Sequence, residues 1–365
     1  MRTHSEVKQE RNLCYLQLMN IKGFLCEYKK KCLVLFSGKK ILITGGTGSL
    51  GTALTKKLLE SDVEKIRIFS RDELKQTVMQ SNFNDNRLRF LIGDVRDKNR
   101  LSMALEDIDI VFHTAALKHV PVAEYNPFEA VKTNVYGTQN LTESCIERNV
   151  ELAVAIGTDK AVSPLNTYGA TKLLMERLFI SANNFRGKHD IRFICVRYGN
   201  VLGSRGSIVP TFTEQVKSGK KITITDPSMT RFNITMSQAL DLIFRAIKHG
   251  TGGEVFIPKL KAYKVMDMKD AIVELLKSKS DFETISVRPG EKFHELLISK
   301  NEIRQTYENK DDYIIFDPQR GIDFTKRTDV KKAQLNDEYS SDKVDLLTKD
   351  EIKSILLKEN LIPNN

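Results

Sequence analysis

The segment Gly45-Gly46-Thr47-Gly48-Ser49-Leu50-Gly51 constrains the fold more than any other stretch of the chain. It follows directly on the short apolar run Lys39-Lys40-Ile41-Leu42-Ile43-Thr44 and opens a helical stretch from about Leu50 to Glu60. Gly45, Gly48 and Gly51 occupy the three positions of a Gly-x-x-Gly-x-x-Gly turn. Glycine there lets the backbone turn tightly and approach a pyrophosphate, while the helix N-terminus offers amide donors and a favourable dipole. Gly45, Thr47, Gly48, Ser49, Leu50 and Gly51 are therefore the expected cradle of a dinucleotide. A glycine cluster alone marks only a tight turn; here strand, glycines, helix and second strand occur in order.

That alternation continues to about residue 200. Lys65–Phe69, Leu88–Ile92, Ile108–Phe112, Leu152–Ile156 and Arg192–Arg197 read as strands. Helices are expected between them, including Arg100–Leu105, one long helix over Pro127–Arg148, and another over Tyr168–Ala182. Strands and helices joined by short links predict an α/β fold, a Rossmann-type doubly wound parallel sheet covered on both faces. Beyond Asn200 the pattern changes. Ile208–Ser218, Ser237–Lys248 and Met268–Leu276 read as helices, Lys221–Ile224 and Gly253–Ile257 as strands, and Asp281–Pro289 as polar loops. The expected organisation is an N-terminal extension over 1–36, a dinucleotide-binding domain with the catalytic segment over 37–200, a smaller C-terminal substrate-binding lobe over 201–320, and a charged tail over 321–365. A terminal helix is expected at Lys349–Lys358. Residues 1–36 have room for a short amphipathic helix; packing on the body or disorder is the plainer reading.

The chain's 365 residues are enough for a large core and two lobes. Its formal net charge of +10 is spread along the sequence. That excess suits anionic substrates and cofactors. Zinc spacing, an RNP-like strand and a basic helix are all missing, so no nucleic-acid partner is expected. Cys14, Cys26, Cys32, Cys145 and Cys195 show no paired metal spacing, and reduced thiols in a cytoplasmic protein fit best. His113 and His119 have no carboxylate–histidine spacing, so no metal site is expected. No run of eighteen apolar residues and no signal peptide is seen, which predicts no integral membrane segment.

The second strand leads into Ser70-Arg71-Asp72-Glu73-Leu74-Lys75. An acid at this point binds the ribose of NAD. Arg71, with Ser70 and Lys75, suits a 2′-phosphate, so NADP is preferred, while Asp72 and Glu73 keep NAD open. Asp94 and Val95, after the third strand, are placed to hold the adenine. Ala115, after the fourth, lets the backbone approach the cofactor.

The reacting centre is read in Thr158-Asp159-Lys160-Ala161-Val162-Ser163-Pro164-Leu165-Asn166-Thr167-Tyr168-Gly169-Ala170-Thr171-Lys172. Tyr168 and Lys172 have the Tyr-x-x-x-Lys spacing that sets an ammonium beside a phenol on a helix. The pair can draw a proton from an alcohol as hydride leaves, with Lys172 lowering the phenol pKa and binding the nicotinamide ribose, and Thr158 orienting the substrate hydroxyl. Asp159 and Lys160 exceed what an alcohol dehydrogenase needs. A carboxylate there can protonate a departing hydroxyl, and a desolvated lysine can remove a proton made acidic by a ketone. The plain alternative is a solvated salt bridge.

Together with His113–Pro121, Val196–Ser207, Met229–Phe232 and Arg288–Lys292, these motifs resemble the sugar-nucleotide 4,6-dehydratases of the extended short-chain dehydrogenase/reductase superfamily, over about residues 38–320. The likeness is greatest to the inverting UDP-N-acetylglucosamine type that opens pseudaminic acid biosynthesis. Tyr168 stands where larger, membrane-anchored members often carry methionine, which places the chain with the soluble group. The resemblance implies that Tyr168 starts oxidation at C4, Lys160 removes the C5 proton, and Asp159 protonates the C6 hydroxyl as it leaves. It also implies UDP-N-acetylglucosamine or a related UDP-sugar as substrate, with Lys118, Asn200, Arg205, Arg231, Arg288 and Glu291 as its contacts, and a homo-oligomer. Gly157 departs from the family, which commonly has serine there. A UDP-sugar 4-epimerase, a C5-retaining dehydratase and a catalytically silent dinucleotide-binding scaffold are the rivals. The Asp159–Lys160 pair separates the dehydratase from the epimerase, which needs no acid at C6 and no base at C5.

Overall fold

Apolar residues line both sides of each central strand, so the sheet must be covered on both faces. In the computed structural model, which describes residues 34–287, 290–317, 319 and 327–362, six strands run parallel: β1 (Lys40–Thr44), β2 (Lys65–Ser70), β3 (Leu88–Ile92), β4 (Ile110–His113), β5 (Leu152–Ile156) and β6 (Arg192–Val196). Their order is β3-β2-β1-β4-β5-β6, the doubly wound Rossmann arrangement. Glu254–Pro258 continues the sheet parallel to β6. Asp312–Phe316, Thr306–Glu308 and Lys331–Lys332 then add to it antiparallel, giving ten strands.

The strand period divides the core. Ile41 and Ile43 of β1 join Phe112, Val154 and Ile194 on one face. Leu42 joins Val111, Ala153 and Phe193 on the other. Phe36 is fully buried and packs its ring at 6.4 Å from Phe112 and 5.4 Å from Phe244. A third cluster, including Leu202, Phe212, Ile222, Met268 and Leu356, forms the core of the smaller lobe. The helix Lys349–Lys358 packs into it, started by a capping box of Thr348 and Glu351.

Two elements differ from the sequence reading. The stretch expected as one helix over Pro127–Arg148 contains a π-helical segment, Val131–Tyr136, between α-helices Pro127–Ala130 and Gly137–Glu147. The buried Asn134 lies in it, accepting from Leu117 N at 2.8 Å and donating to Leu117 O and Thr171 Oγ1 at 3.0 Å. It ties the loop after β4 to the helix Thr167–Phe185, which carries Tyr168. The stretch expected as polar loop contains a strand, Phe282–Thr284, paired with Ile222–Ile224. The amphipathic reading of residues 1–33 lies outside the described residues. Among the described residues, no helix is long and apolar enough to cross a membrane.

Candidate active site

The chain turns back between β1 and β4, at the point where the strand order reverses, and parallel sheets open a crevice there. A cleft of about 1010 Å³ occupies this place. Gly45, Thr47, Gly48, Ser49 and Leu50 line it, with Ser70 at the end of β2, Arg71, Asp72 and Lys75 beyond it, Asp94 and Val95 beyond β3, and Ala115 beyond β4. Gly45 has φ +66°, and a Cβ on it would lie 2.7 Å from Ala115 N. No side chain caps the helix Ser49–Leu58, so its first amides are open to an anion. The residues thus fit a dinucleotide pyrophosphate. Gly51 stands off the cleft wall, and a Cβ on it would lie 2.5 Å from Gly46 O. Glu73 also stands off it, exposed in the first turn of Glu73–Phe83.

The cations expected to meet a 2′-phosphate are already engaged. Arg71 NH1 lies 3.6 Å from Asp94, which also takes two hydrogen bonds from the Arg96 guanidinium at 2.6 and 2.9 Å. Lys75 Nζ donates to Asp72 at 2.5 Å, and the other Asp72 oxygen caps the helix through Lys75 N at 2.9 Å.

The segment from Thr158 to Lys172 leaves the end of β5. Thr158 accepts from Lys160 N at 3.4 Å and begins the 3-10 turn Asp159–Ala161. Asn166 caps the next helix by accepting from Gly169 N at 2.8 Å. Gly169 lies against this turn so closely that a Cβ would come 2.2 Å from Lys160 O. The close approach brings Tyr168 back over the turn. Thr158, Tyr168, Lys172 and Asn200 all line the cleft. Asp159 is buried behind them, 1% exposed, accepting from Thr158 Oγ1 at 2.8 Å and from Lys160 Nζ at 3.1 Å. Lys160 Nζ also reaches Asn200 Oδ1 at 3.3 Å. At Gly157, the departure from the family pattern, a Cβ would lie 2.8 Å from Val196 O.

The electrostatics separate the two lysines. Lys172 is pulled down to about 8 by burial. Its Nζ donates to Ile156 O at 2.6 Å and lies 2.9 Å from Met175 Sδ. Burial also pulls on Lys160, but the Asp159 and Glu295 carboxylates outweigh it and hold the ammonium above its ordinary value. The Tyr168 phenol is pushed up by burial and drawn down by Lys160 and by a hydrogen bond with Thr158. The cation opposing burial at the phenol is thus Lys160, where the spacing pointed to Lys172. Buried His113, between the Thr44 and Thr138 hydroxyls, falls to about 3 through desolvation and is neutral.

The substrate contacts read from the sequence fall in three places. Lys118 lines the cleft and donates to Arg205 O at 3.2 Å. Arg205 folds over the glycine turn, donating to Thr47 O at 2.7 Å and Ser49 Oγ at 3.4 Å. Arg231 lies beyond Lys160, 3.6 Å from Glu291 and 3.5 Å from Glu295. Arg288 lies outside the described residues. Sequence reasoning missed Asn134, Lys292 and Glu295. Lys292 Nζ donates to Val162 O, just after the 3-10 turn Asp159–Ala161. Lys292 closes the motif Arg288–Lys292; Glu295, three residues on, has no local signal.

The strand order and the glycine turn at its switch point define the Rossmann class of dinucleotide-binding folds. A model of the polysaccharide biosynthesis protein family matches residues 41–317, and the chain belongs to that family. A protein of Campylobacter jejuni subsp. jejuni serotype O:23/36 (strain 81-176), named UDP-N-acetylglucosamine 4,6-dehydratase (inverting), is 50% identical over 283 residues, 77% of this chain and 84% of that one. A Rickettsia rickettsii (strain Sheila Smith) protein named UDP-glucose 4-epimerase is 40% identical over 329 residues, 88% of this chain and 96% of that one. Among solved structures, Pen from Bacillus thuringiensis matches with a TM-score of 0.85 at 41% identity, covering 90% of this chain and 99% of that one.

The comparisons correct the preference for NADP. Solved structures of this fold hold NAD: the dTDP-glucose 4,6-dehydratase DesIV from Streptomyces venezuelae, the UDP-glucuronic acid 4-epimerase from Bacillus cereus and the UDP-glucose 4-epimerase from Thermus thermophilus. The physical reason lies in the pairing of Arg71 with Asp94 and of Lys75 with Asp72, which leaves acids as well as cations at the ribose end.

Proposed function

We propose that the protein is a UDP-N-acetylglucosamine 4,6-dehydratase of the inverting type that works with NAD. The observation that carries this reading is the placement of Asp159 and Lys160, 3.1 Å apart, directly behind Thr158 at the cleft wall that Tyr168 shares. When bound, NAD supplies the acceptor for the C4 hydride and the means of its return at C6. Thr158 orients the C4 hydroxyl and Tyr168 takes its proton. The resulting 4-ketone acidifies C5–H, which Lys160 removes as a neutral amine. Asp159, protonated, gives its proton to the C6 oxygen, and water leaves. Reprotonation of C5 from the opposite face inverts that centre. Lys172 holds the nicotinamide ribose. The identity to the Campylobacter protein supports the substrate and the inversion.

Lys118, Asn200 and Arg231 are the groups assigned to the sugar nucleotide, with Glu291 orienting Arg231. Arg205 bridges the substrate side to the dinucleotide turn. Arg288 stays in the set on sequence alone. Residues 37–200 form the cofactor half and 201–320 the substrate lobe in this reading. A cytoplasmic place is supported by the free, buried thiols of Cys145 and Cys195.

The test is incubation with UDP-N-acetylglucosamine in heavy water, followed by NMR. The expected product is the 4-keto-6-deoxy sugar with inverted C5 bearing solvent deuterium. The names of the Rickettsia proteins favour a 4-epimerase; UDP-N-acetylgalactosamine as sole product would establish that instead.

A further inference from the structure

Glu295 is a carboxylate that the reaction as written does not use. It is 4% exposed and stands just before the strand Leu296–Ile298. Its backbone is held on both sides by the C-terminal segment: Glu295 N donates to Ser341 Oγ at 2.8 Å, and Ser341 N to Glu295 O at 2.9 Å. Ser341 Oγ lies 2.7 Å from Thr230 Oγ1, next to Arg231. The side chain is thereby fixed between two cations. Oε1 is 3.6 Å from Lys160 Nζ and 3.5 Å from Arg231 Nε. Oε2 is buried and has no hydrogen-bond partner among the described residues. A carboxylate in such a place needs its cations, because the uncompensated charge is costly away from water.

Resting on the dehydratase reading, we propose that Glu295 is a positioning residue that holds the Lys160 ammonium against Asp159, so that the proton arming Asp159 toward the C6 oxygen comes from Lys160. Elimination needs a neutral amine at Lys160 and a protonated acid at Asp159 together. One proton moved across the 3.1 Å between Lys160 Nζ and Asp159 Oδ1 produces both. The amine then takes the C5 proton while the acid gives its proton to the C6 oxygen. The C5–H and C6–O bonds break, the C5–C6 double bond forms beside the 4-ketone, and water departs. Lys160 ends as ammonium and Asp159 as carboxylate, the pair with which the step began. Arg231 offsets the negative charge of Glu295, which keeps that carboxylate from trapping the proton on Lys160. The groups that face Lys160 are Asp159, Glu295 and Tyr168, with Lys118, Lys292 and Tyr263 further out. The first three all help to hold its proton, the two carboxylates more than the phenol.

Full-length protein labelled with 15N-lysine, loaded with NAD, provides the test, with Lys160→Met identifying the resonance. The wild-type Lys160 ammonium should persist further into alkali than that of Glu295→Gln, by about one pH unit or more. Glu295→Asp, which keeps the charge, should stay near wild type. In turnover, Glu295→Gln should lose about tenfold or more in kcat, because Lys160 is no longer held against Asp159, with KM nearly unchanged. Glu295→Asp should recover part of the loss. An unmoved Lys160 titration in a folded Glu295→Gln protein overturns the inference, whatever the enzyme makes. Wild-type protein that forms no dehydrated sugar, yet shows the shifted titration in the variant, overturns the dehydratase reading and keeps the grip of Glu295 on Lys160.

Discussion

Lys160 and Lys172 belong to one short segment and are both largely withdrawn from water, yet their charges are held in opposite ways. Lys172 faces a backbone carbonyl and a thioether, and burial brings it down to about 8. Lys160 faces two carboxylates, and it rises. Burial alone therefore does not decide how a lysine behaves; the acids within about 4 Å decide it. In the proposed reaction the difference also divides the labour. A lysine brought down to about 8 keeps its ammonium at neutral pH, which suits ribose binding beside a phenol. A lysine held charged by acids is a proton store, and becomes a base only when one of those acids takes its proton.

Replacing either lysine tests that division, and Lys160 should show the larger effect. Lys160→Ala removes the C5 base and the proton source together. Dehydration should fall by about 10³-fold or more, roughly 4 kcal/mol in the barrier, and solvent deuterium should vanish from C5. Exchange at C5 at the wild-type rate would take Lys160 out of the base role and break the comparison at its first member.

Lys172 should register in stability. Its folded pKa of about 8 lies below the unfolded value of 10.5. Between the two the unfolded chain binds the extra proton, so stability rises with pH there and is reduced below about 8. The wild type should gain on the order of 3 kcal/mol between pH 8 and 10.5 relative to Lys172→Met, in urea unfolding at each pH. Lys160 has the opposite sign: its contribution is complete below 10.5 and is lost only as pH passes its higher folded value. A wild-type minus variant difference that stays flat with pH would show that Lys172 is not depressed.

The two lysines also differ in how well the sequence exposed their settings. The glycine turn, the strands to β6 and the Tyr168–Lys172 spacing are local patterns, and the backbone alone fixes what they do. Thr158, Asp159 and Lys160 were equally visible. The direction of the Lys160 shift was not, because Glu295 arrives from a distant strand and is held there by Ser341, in a stretch that reads as a charged tail. Asn134 was hidden for a similar reason: its segment has ordinary helical character, and only the π-helical turn shows the side chain facing inward. The NADP preference failed where charge was counted without its partners, since Arg71 and Lys75 each have an acid beside them.

Gly169 sets the distance between the two halves of the segment. An added Cβ would meet Lys160 O at 2.2 Å and Pro164 Cβ at 3.0 Å. Gly169→Ala must push the helix bearing Tyr168 and Lys172 away from the turn bearing Asp159 and Lys160. The overpacking should cost about 1–3 kcal/mol in urea unfolding. Dehydration should fall further than dinucleotide affinity, because the cradle lies on other elements. Equal losses in both would mean that the segment moves as one body.

Arg71 extends the comparison to a cation in water and should give the smallest effect. Its side chain is 59% exposed, and its acid, Asp94, stands 3.6 Å away and is already bonded to Arg96. An exposed pair of that kind contributes about 0.2–1 kcal/mol, screened by salt. Arg71→Ala should therefore change the Kd for NAD by less than about sixfold in calorimetry, an effect that fades with added salt. The 2′-phosphorylated dinucleotide should bind the wild type more weakly than NAD, because Arg71 and Lys75 each have an acid beside them at that end of the cleft. A large loss of NAD affinity in Arg71→Ala, insensitive to salt, would make this arginine a desolvated contact like the two lysines rather than a screened one at the rim.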